Sequence, residues 1–344
     1  MKAIRIREPG GPDVLELVEV PDPVAAPGEA LVRVRAAGVN RADLLQRAGH
    51  YPAPPGSPAD IPGLEFAGEV VAHGPDAGRP DEAFARESFP LGAPAMGIVG
   101  GGGYAELVTV PVEHLMTPPG GLSIVEAGAI PEVFLTACDA LCTRGRLERG
   151  DRVLIHSAGG GVGSAALQLA AVAGAGGIAG TASSGKLDLI RERGLPLDLG
   201  VDYRAGDFAE VVEEWTGGRG VDVVLDTVGG PYWTSNVRSL AVLGRLVIVG
   251  VMGGSIVEVD LRELMKKRAS VVGTVLRARP IEDKTAVRTL FTERFLPAFE
   301  APEGQVATLT PILDTVISLE DAADAHRLMG ENRSFGKIVL NTEV

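Results

Sequence analysis

Between Asp151 and Ser164 the chain reads Asp-Arg-Val-Leu-Ile-His-Ser-Ala-Gly-Gly-Gly-Val-Gly-Ser. A short apolar strand, Val153 to Ile155, runs into a cluster of glycines and then into a small-residue helix, Ala165 to Ala173. Glycines at such a turn let the backbone approach a pyrophosphate. They also leave the first N–H groups of the helix pointing at the anion, with the helix dipole behind them. The pattern predicts a dinucleotide-binding βαβ unit in which Ser157, Gly159, Gly160, Gly161, Val162 and Gly163 form the phosphate turn.

The periodicity that follows supports this. Short apolar strands are expected at 177–181, 221–226 and 245–251, with helices at 186–194, 207–216 and around 232–243. Strands alternating with helices at this spacing predict a doubly wound parallel sheet covered on both faces. Residues 1–121 have a different texture, with short alternating segments such as Ala30 to Arg35 separated by prolines, which predicts a β-rich domain with irregular connections. Beyond residue 280 a helix (Ala286 to Phe299) and an amphipathic stretch (Ser318 to Met329) lead to a closing strand, Gly336 to Leu340. No parallel partner follows that strand, so it is expected to return to the first domain. The reading is an α/β protein with residues 1–121 and 280–344 in one domain and 122–279 in the other.

The net charge of −13 argues against nucleic acid or an anionic membrane as partner, since either needs a basic face. An anionic cofactor must then be held by local donors. No apolar run approaches the roughly 18 residues of a membrane helix, and the N-terminus alternates like a strand without the apolar block of a signal peptide. Two cysteines, Cys138 and Cys142, are too few for a disulfide scaffold and read as small buried hydrophobes. These features predict a soluble, cytoplasmic protein.

The acid that holds the ribose 2′-OH in NAD-preferring folds stands about 20 residues past the glycines. Here the strand end reads Thr181-Ala182-Ser183-Ser184-Gly185-Lys186, with no acid before Asp188. Hydroxyls and a lysine suit a 2′-phosphate, which an acid would repel, so Ser183 and Lys186 predict NADPH.

Several segments together carry a resemblance. They are Glu8 to Pro12, Asn40 to Tyr51, Gly63 to Gly68, Ile130 to Ala137, the glycine turn, Asp202-Tyr203-Arg204, Asp226 to Gly230, Gly250 to Gly254 and Gly336 to Val339. The chain resembles, essentially end to end, the quinone oxidoreductase branch of the medium-chain dehydrogenase/reductase superfamily, and within it the tumour-suppressor-inducible members. The resemblance implies a GroES-like catalytic domain built from both chain ends, a Rossmann domain between them, and a homodimer. The apolar run Ala269 to Leu276 is the element suited to extending the sheet across two subunits. Tyr203 and, more weakly, Arg333 are implied beside the adenosine phosphate, and Thr136 on the nicotinamide side. Met252 and Gly253 follow the fourth strand of the Rossmann fold, and Val228 and Gly250 lie in matching segments around the same cofactor.

Zinc-dependent relatives have a cysteine where this chain has Asn40 and a histidine where it has Leu64. A leucine cannot ligate zinc, and His50, His73, His114, His156 and His326 are scattered, each reading as a surface or loop residue, so no bound zinc is expected. Without a metal, the site must supply a slot beside the nicotinamide and donors for charge developing on oxygen. Tyr51 is the candidate donor, Asn40 a candidate hydrogen-bonding partner of substrate or nicotinamide, and Asp43 an orienting group or local cap. Glu65 and Glu132 read as structural, bonded to Arg41 or to backbone. The implied activity is NADPH-dependent reduction of quinones. The alternatives are reduction of an enone or enoyl thioester with Tyr51 as proton donor, and a cofactor-binding protein that no longer catalyses. Aromatic residues make up only 4% of the chain, which gives no evident stacking platform for large polycyclic quinones, and the charged segment 76–93 is expected to form a long loop edging the pocket.

Overall fold

The computed structural model describes residues 1–79, 82–300 and 309–343. Its strands are β1 (Lys2–Ile6), β2 (Leu15–Glu19), β3 (Glu29–Gly38), β4 (Glu65–His73), β5 (Pro94–Ile98), β6 (Leu107–Pro111), β7 (Arg152–Ile155), β8 (Gly177–Ala182), β9 (Leu199–Asp202), β10 (Val221–Asp226), β11 (Leu240–Ile248), β12 (Ser270–Gly273), β13 (Leu313–Ser318) and β14 (Lys337–Asn341). They fall into two units. One comprises Met1–Val133, Leu276–Glu300 and Pro311–Val344, and the other is centred on Phe134–Val275. The boundaries thus lie at 133/134 and 275/276. Residues 122–133 stay with the first unit, where the capped turn Ile124–Ala127 packs on β3.

In the second unit the sheet runs β12-β11-β10-β7-β8-β9, parallel throughout. Val153, Leu154 and Ile155 of β7 are completely buried, as a strand covered on both faces must be. From β7 the chain winds outward through β8 and β9, then returns to β10 on the other side. The winding therefore reverses between β7 and β10, and such folds bind ligands outside the strand ends at that point. The helix expected around 232–243 is shorter, Trp233–Ser239, because Leu240–Ile248 is one strand. Its first residue already pairs with Val221, and a register shift separates that pair from the rest. Strand β9 was not foreseen: four residues containing a glycine show no alternation, and the pairing with β8 makes the strand.

In the first unit the order is β13-β14-β3-β4-β5, with β6 also on β3. The closing strand β14 does return to this sheet, antiparallel to β3 and parallel to β13. Val32, Val34, Phe66 and Val70 from β3 and β4 fill the core beneath it. Gly68 is required here, since a Cβ would stand 1.9 Å from the Arg33 carbonyl oxygen across the β3–β4 pair. The segment expected as a long loop contains the helix Glu82–Ser88, while Pro80 and Asp81 lie outside the described residues. Arg86 bonds the carbonyls of Gly74 (2.8 Å) and Pro75 (2.6 Å), and Arg79 pairs with Glu113, so the charges fasten the segment to its own unit. No helix among the described residues is long and apolar enough to cross a membrane.

Candidate functional site

In the second unit the glycine turn leads directly into the helix Gly161–Ala173. Ser157, which opens the turn, has φ +53°, and a Cβ on Gly163 would lie 2.1 Å from the Ser157 carbonyl oxygen. Only glycine lets the helix come this close to the strand. No side chain caps the helix at Gly160, so the N–H groups of Gly161, Val162 and Gly163 face out of the helix end together. This cradle, with Gly159 in the turn and the dipole behind it, fits a pyrophosphate.

The ends of β10 and β11 are drawn together beside it. Val228 N–H donates to Asp226 Oδ1 (2.7 Å), Gly253 N–H to the Val228 carbonyl (2.8 Å), Met252 N–H to Thr227 (3.2 Å) and Gly250 N–H to Asp226 (3.3 Å). Thr227 Oγ1 donates to Ser157 Oγ at 2.9 Å, tying this loop to the glycine turn. Thr136 is half-exposed on the helix Pro131–Cys138.

Behind the turn lies a residue that sequence reasoning placed on the surface. His156 is completely buried, with Nδ1 2.8 Å from Thr181 Oγ1 and Nε2 2.6 Å from Asn236 Oδ1. Asn236 Nδ2 in turn donates to Asp226 Oδ2 (3.0 Å). Burial lowers the imidazole pKa, so the ring is neutral: Nε2–H donates to Asn236 and Nδ1 accepts from Thr181. The chain of bonds fixes the carboxyl ends of β7, β8 and β10. His114 and His326 are also buried rather than superficial.

At the end of β8, Ser183 precedes the helix Ser184–Glu192, and Lys186 is its third residue. At the end of neighbouring β9, Asp202 accepts from the Ser184 hydroxyl and from Arg204 N–H (2.9 Å), which hold its carboxyl below the usual range. The Arg204 guanidinium lies 5.3 Å over the Tyr203 ring. Asp202 and Arg204 were not foreseen as neighbours of this corner, although both belong to the matched Asp202-Tyr203-Arg204 segment. Arg333 belongs to the first unit, where it pairs with Glu331 at 3.0 Å.

In the first unit the polar residues are bound to one another. Glu65 Oε1 accepts from Asn40 Nδ2 (2.8 Å) and Lys337 Nζ (2.6 Å), while Oε2 accepts from Glu132 N–H (2.8 Å). Lys337 also donates to Asn40 Oδ1 (2.7 Å) and the Val39 carbonyl (2.8 Å). Both ends of the Asn40 amide are therefore engaged within the unit. Glu65 is bonded to Lys337 rather than Arg41, whose guanidinium reaches Asn332 Oδ1 (2.7 Å). Lys337 was missed; the available signal was a lysine heading an apolar strand, Lys-Ile-Val-Leu.

Asp43 is buried and accepts from Asn40 N–H (2.8 Å), Gly63 N–H (3.2 Å) and the Tyr104 hydroxyl (3.0 Å). Burial pushes its pKa up to about 6, against the pull of those donors and of Lys337. The Tyr104 hydroxyl also meets His326 Nε2 at 3.2 Å, and Arg47 lies 3.2 Å from His326 Nδ1. Asp43 thus anchors the helix Arg41–Arg47 rather than facing a ligand.

The family's metal does not fit these residues. Leu64 is buried and has no donor atom, the Asn40 amide is spent, and Glu65 is neutralised by an ammonium group. Among the described residues no three metal-ligating side chains cluster.

Tyr51 is half-buried on the loop after the helix Arg41–Arg47, and among the described residues its hydroxyl has no hydrogen-bond partner. The Arg277 guanidinium lies 5.1 Å from its ring centroid and donates to the Tyr51 carbonyl (3.1 Å). Burial and Glu132 raise the phenol pKa, and Arg277 opposes them. Glu132 is itself pushed up to about 8 by burial and by Glu65.

Because a buried charge that loses its partner is left uncompensated, Lys337→Met is expected to cost about 3–5 kcal/mol in urea denaturation. The double variant Glu65→Gln with Lys337→Met is expected to recover most of that loss. Additive losses would show that the two side chains are not energetically coupled.

A family model described as zinc-binding dehydrogenase matches residues 161–292, and one described as alcohol dehydrogenase GroES-like domain matches residues 26–120. A polyketide synthase of Mycobacterium marinum, for phenolphthiocerol synthesis, is 35% identical over 98% of this chain, which spans only 15% of that relative's length. A solved mycobacterial quinone oxidoreductase is 32% identical with a TM-score of 0.79, covering 99% of each chain. A mycobacterial protein solved with NADPH is 29% identical with a TM-score of 0.82, covering 99% of this chain and 100% of the other. With a GroES-like unit, a Rossmann unit and a full-length relative at this identity, the chain belongs to the medium-chain dehydrogenase/reductase superfamily of oxidoreductases.

Proposed function

We propose that this chain is an NADPH-dependent, zinc-independent reductase of carbon–carbon double bonds conjugated to a carbonyl, with Tyr51 as the proton donor. The observation that carries the reading is the Tyr51 phenol, unpartnered at its hydroxyl and stacked beneath a guanidinium. A reduced nicotinamide, when bound, would supply the hydride for the β-carbon. Tyr51 O–H then gives its proton to the α-carbon, and the phenolate is reprotonated from solvent. The polyketide synthase relative favours an enoyl thioester, because polyketide chains are extended as thioesters. Ser183 and Lys186 would hold the 2′-phosphate, with Tyr203 beside the adenosine. The glycine turn from Ser157 to Gly163 would hold the pyrophosphate, and Thr136, Val228, Gly250, Met252 and Gly253 the nicotinamide side.

The 32% identical quinone oxidoreductase supports a second reading, quinone reduction as in the tumour-suppressor-inducible members. The two differ in what they ask of Tyr51, since a quinone oxygen needs only a hydrogen bond. Tyr51→Phe is expected to slow reduction of a crotonyl thioester by about 10²–10⁴-fold, the range for loss of a general acid, and that of a small ortho-quinone far less. The opposite ranking would establish quinone reduction as the better reading. Failure of the wild type to oxidise NADPH with either acceptor would favour a binding role.

Removing a charge-assisted contact to a 2′-phosphate costs about 1.5–3 kcal/mol, so Lys186→Ala should raise the KM for NADPH about tenfold or more. Its KM for NADH should be unchanged; equal effects on both would remove Lys186 from the phosphate site.

We also propose a homodimer through β12. This edge strand is largely exposed, with Val271 at 37% and, two residues past its end, Val275 at 56%, and an open apolar edge invites pairing with a second chain. Light scattering is expected to give a dimer for the wild type and a monomer for Val271→Lys. A monomeric wild type refutes the assignment.

A further inference from the structure

Arg277 is a buried cation at the Tyr51 corner. It follows β12 in the chain, just before the helix Ile281–Arg294, and is only 4% exposed. Among the described residues it makes no ion pair. Its donors go to neutral oxygens: Nε to the Gly100 carbonyl (2.8 Å), Nη1 to the Tyr51 carbonyl (3.1 Å) and Nη2 to Gln46 Oε1 (2.6 Å). Its guanidinium carbon lies 5.1 Å over the centroid of the Tyr51 ring. Burying a guanidinium without an anion is costly, and hydrogen bonds to neutral acceptors offset only part of that cost. A lysine could not make the three contacts, because the fork geometry is what reaches three separate segments at once. The arrangement holds a fixed positive charge beside a phenol.

We propose that Arg277 is a positioning residue for Tyr51, holding the ring in place and stabilising the phenolate left when its proton is transferred. The inference rests on the reading of Tyr51 as the donor. When the O–H bond breaks and the α-carbon–hydrogen bond forms, the electron pair stays on the phenolic oxygen. At that moment Arg277 gains an anion on the ring it lies against, so the interaction is stronger after transfer than before it. The other charged groups acting on this corner are Glu132, which opposes phenolate formation, and Lys284 and Asp43, which act on Glu132 and Arg277. Arg277 is the cation that acts directly on the phenol.

The test compares wild type, Tyr51→Phe, Arg277→Met and Arg277→Lys on a crotonyl thioester with NADPH. Arg277→Met is expected to lower kcat roughly tenfold to a hundredfold while the KM for NADPH changes by less than about twofold, a smaller loss than the roughly 10²–10³-fold seen when a donor bonded directly to the transition state is removed. Its Tyr51 phenol should titrate at higher pH, read from phenolate absorbance as the difference from Tyr51→Phe. Arg277→Lys keeps the charge but not the fork, so it should recover part of kcat and hold the titration near the wild-type position. If Arg277→Met does not fold, Arg277→Gln, which also removes the charge, carries the test by the same two readouts. A near-normal kcat in Arg277→Met, or a lowered kcat in that variant with an unmoved Tyr51 titration, overturns the proposal. A Tyr51→Phe enzyme that still reduces the thioester overturns the underlying reading instead.

Discussion

The first unit depends on one buried ion pair. Glu65 and Lys337 have side-chain exposures of 0% and 3%, and charges so deeply buried persist only when their remaining hydrogen-bonding capacity is used. It is used here. The three protons of the ammonium group go to Glu65, Asn40 and Val39, and both oxygens of the carboxylate are occupied. These bonds join β14, β4, the link from β3 to the helix Arg41–Arg47, and the helix beginning at Pro131. The Tyr51 loop follows that first helix, so the placement of the proposed donor depends on charges it does not touch.

The second unit solves a comparable problem without net charge. Neutral His156 ties together three strand ends directly beneath the phosphate turn, passing hydrogen bonds from Thr181 to Asn236 and on to Asp226. Asp226 spends its oxygens on the N–H groups of Val228 and Gly229. The turn above is therefore held by directional bonds, and attraction for an anion comes from the helix end and its free N–H groups. That suits a chain with net charge −13, in which the overall field opposes an anionic ligand.

What was legible in the sequence is what is local. The glycine turn, the strands beside it and the absence of an acid before Asp188 are encoded within a few residues, because close approach and capping are nearest-neighbour requirements. The metal misfit was equally legible, since a leucine has no donor atom. Contacts across long separations were not. Lys337 meets Glu65 at a separation of 272 residues, and Arg277 meets Gln46 at 231, distances over which no periodicity carries information. The partners of the Asn40 amide were hidden for the same reason, since Glu65 and Lys337 lie 25 and 297 residues away in the chain. Buried histidines read as superficial because neither burial nor an aromatic cage of Phe208 and Tyr232 is visible in local sequence. The shortened helix before β11 shows pairing with β10 overriding a helical reading.

The two units also differ in when they can be completed during synthesis. The parallel sheet is drawn from a continuous stretch between β7 and β12, so it can close as soon as that stretch has emerged from the ribosome. The other sheet has β3 in hand early, but β14 arrives last of all the strands. Until then Asn40 and Glu65 have no cation to meet, and hydration of the carboxylate keeps the core around it from drying. Closure of the first unit thus waits on a single lysine, and until β14 is in place that acid stays wet.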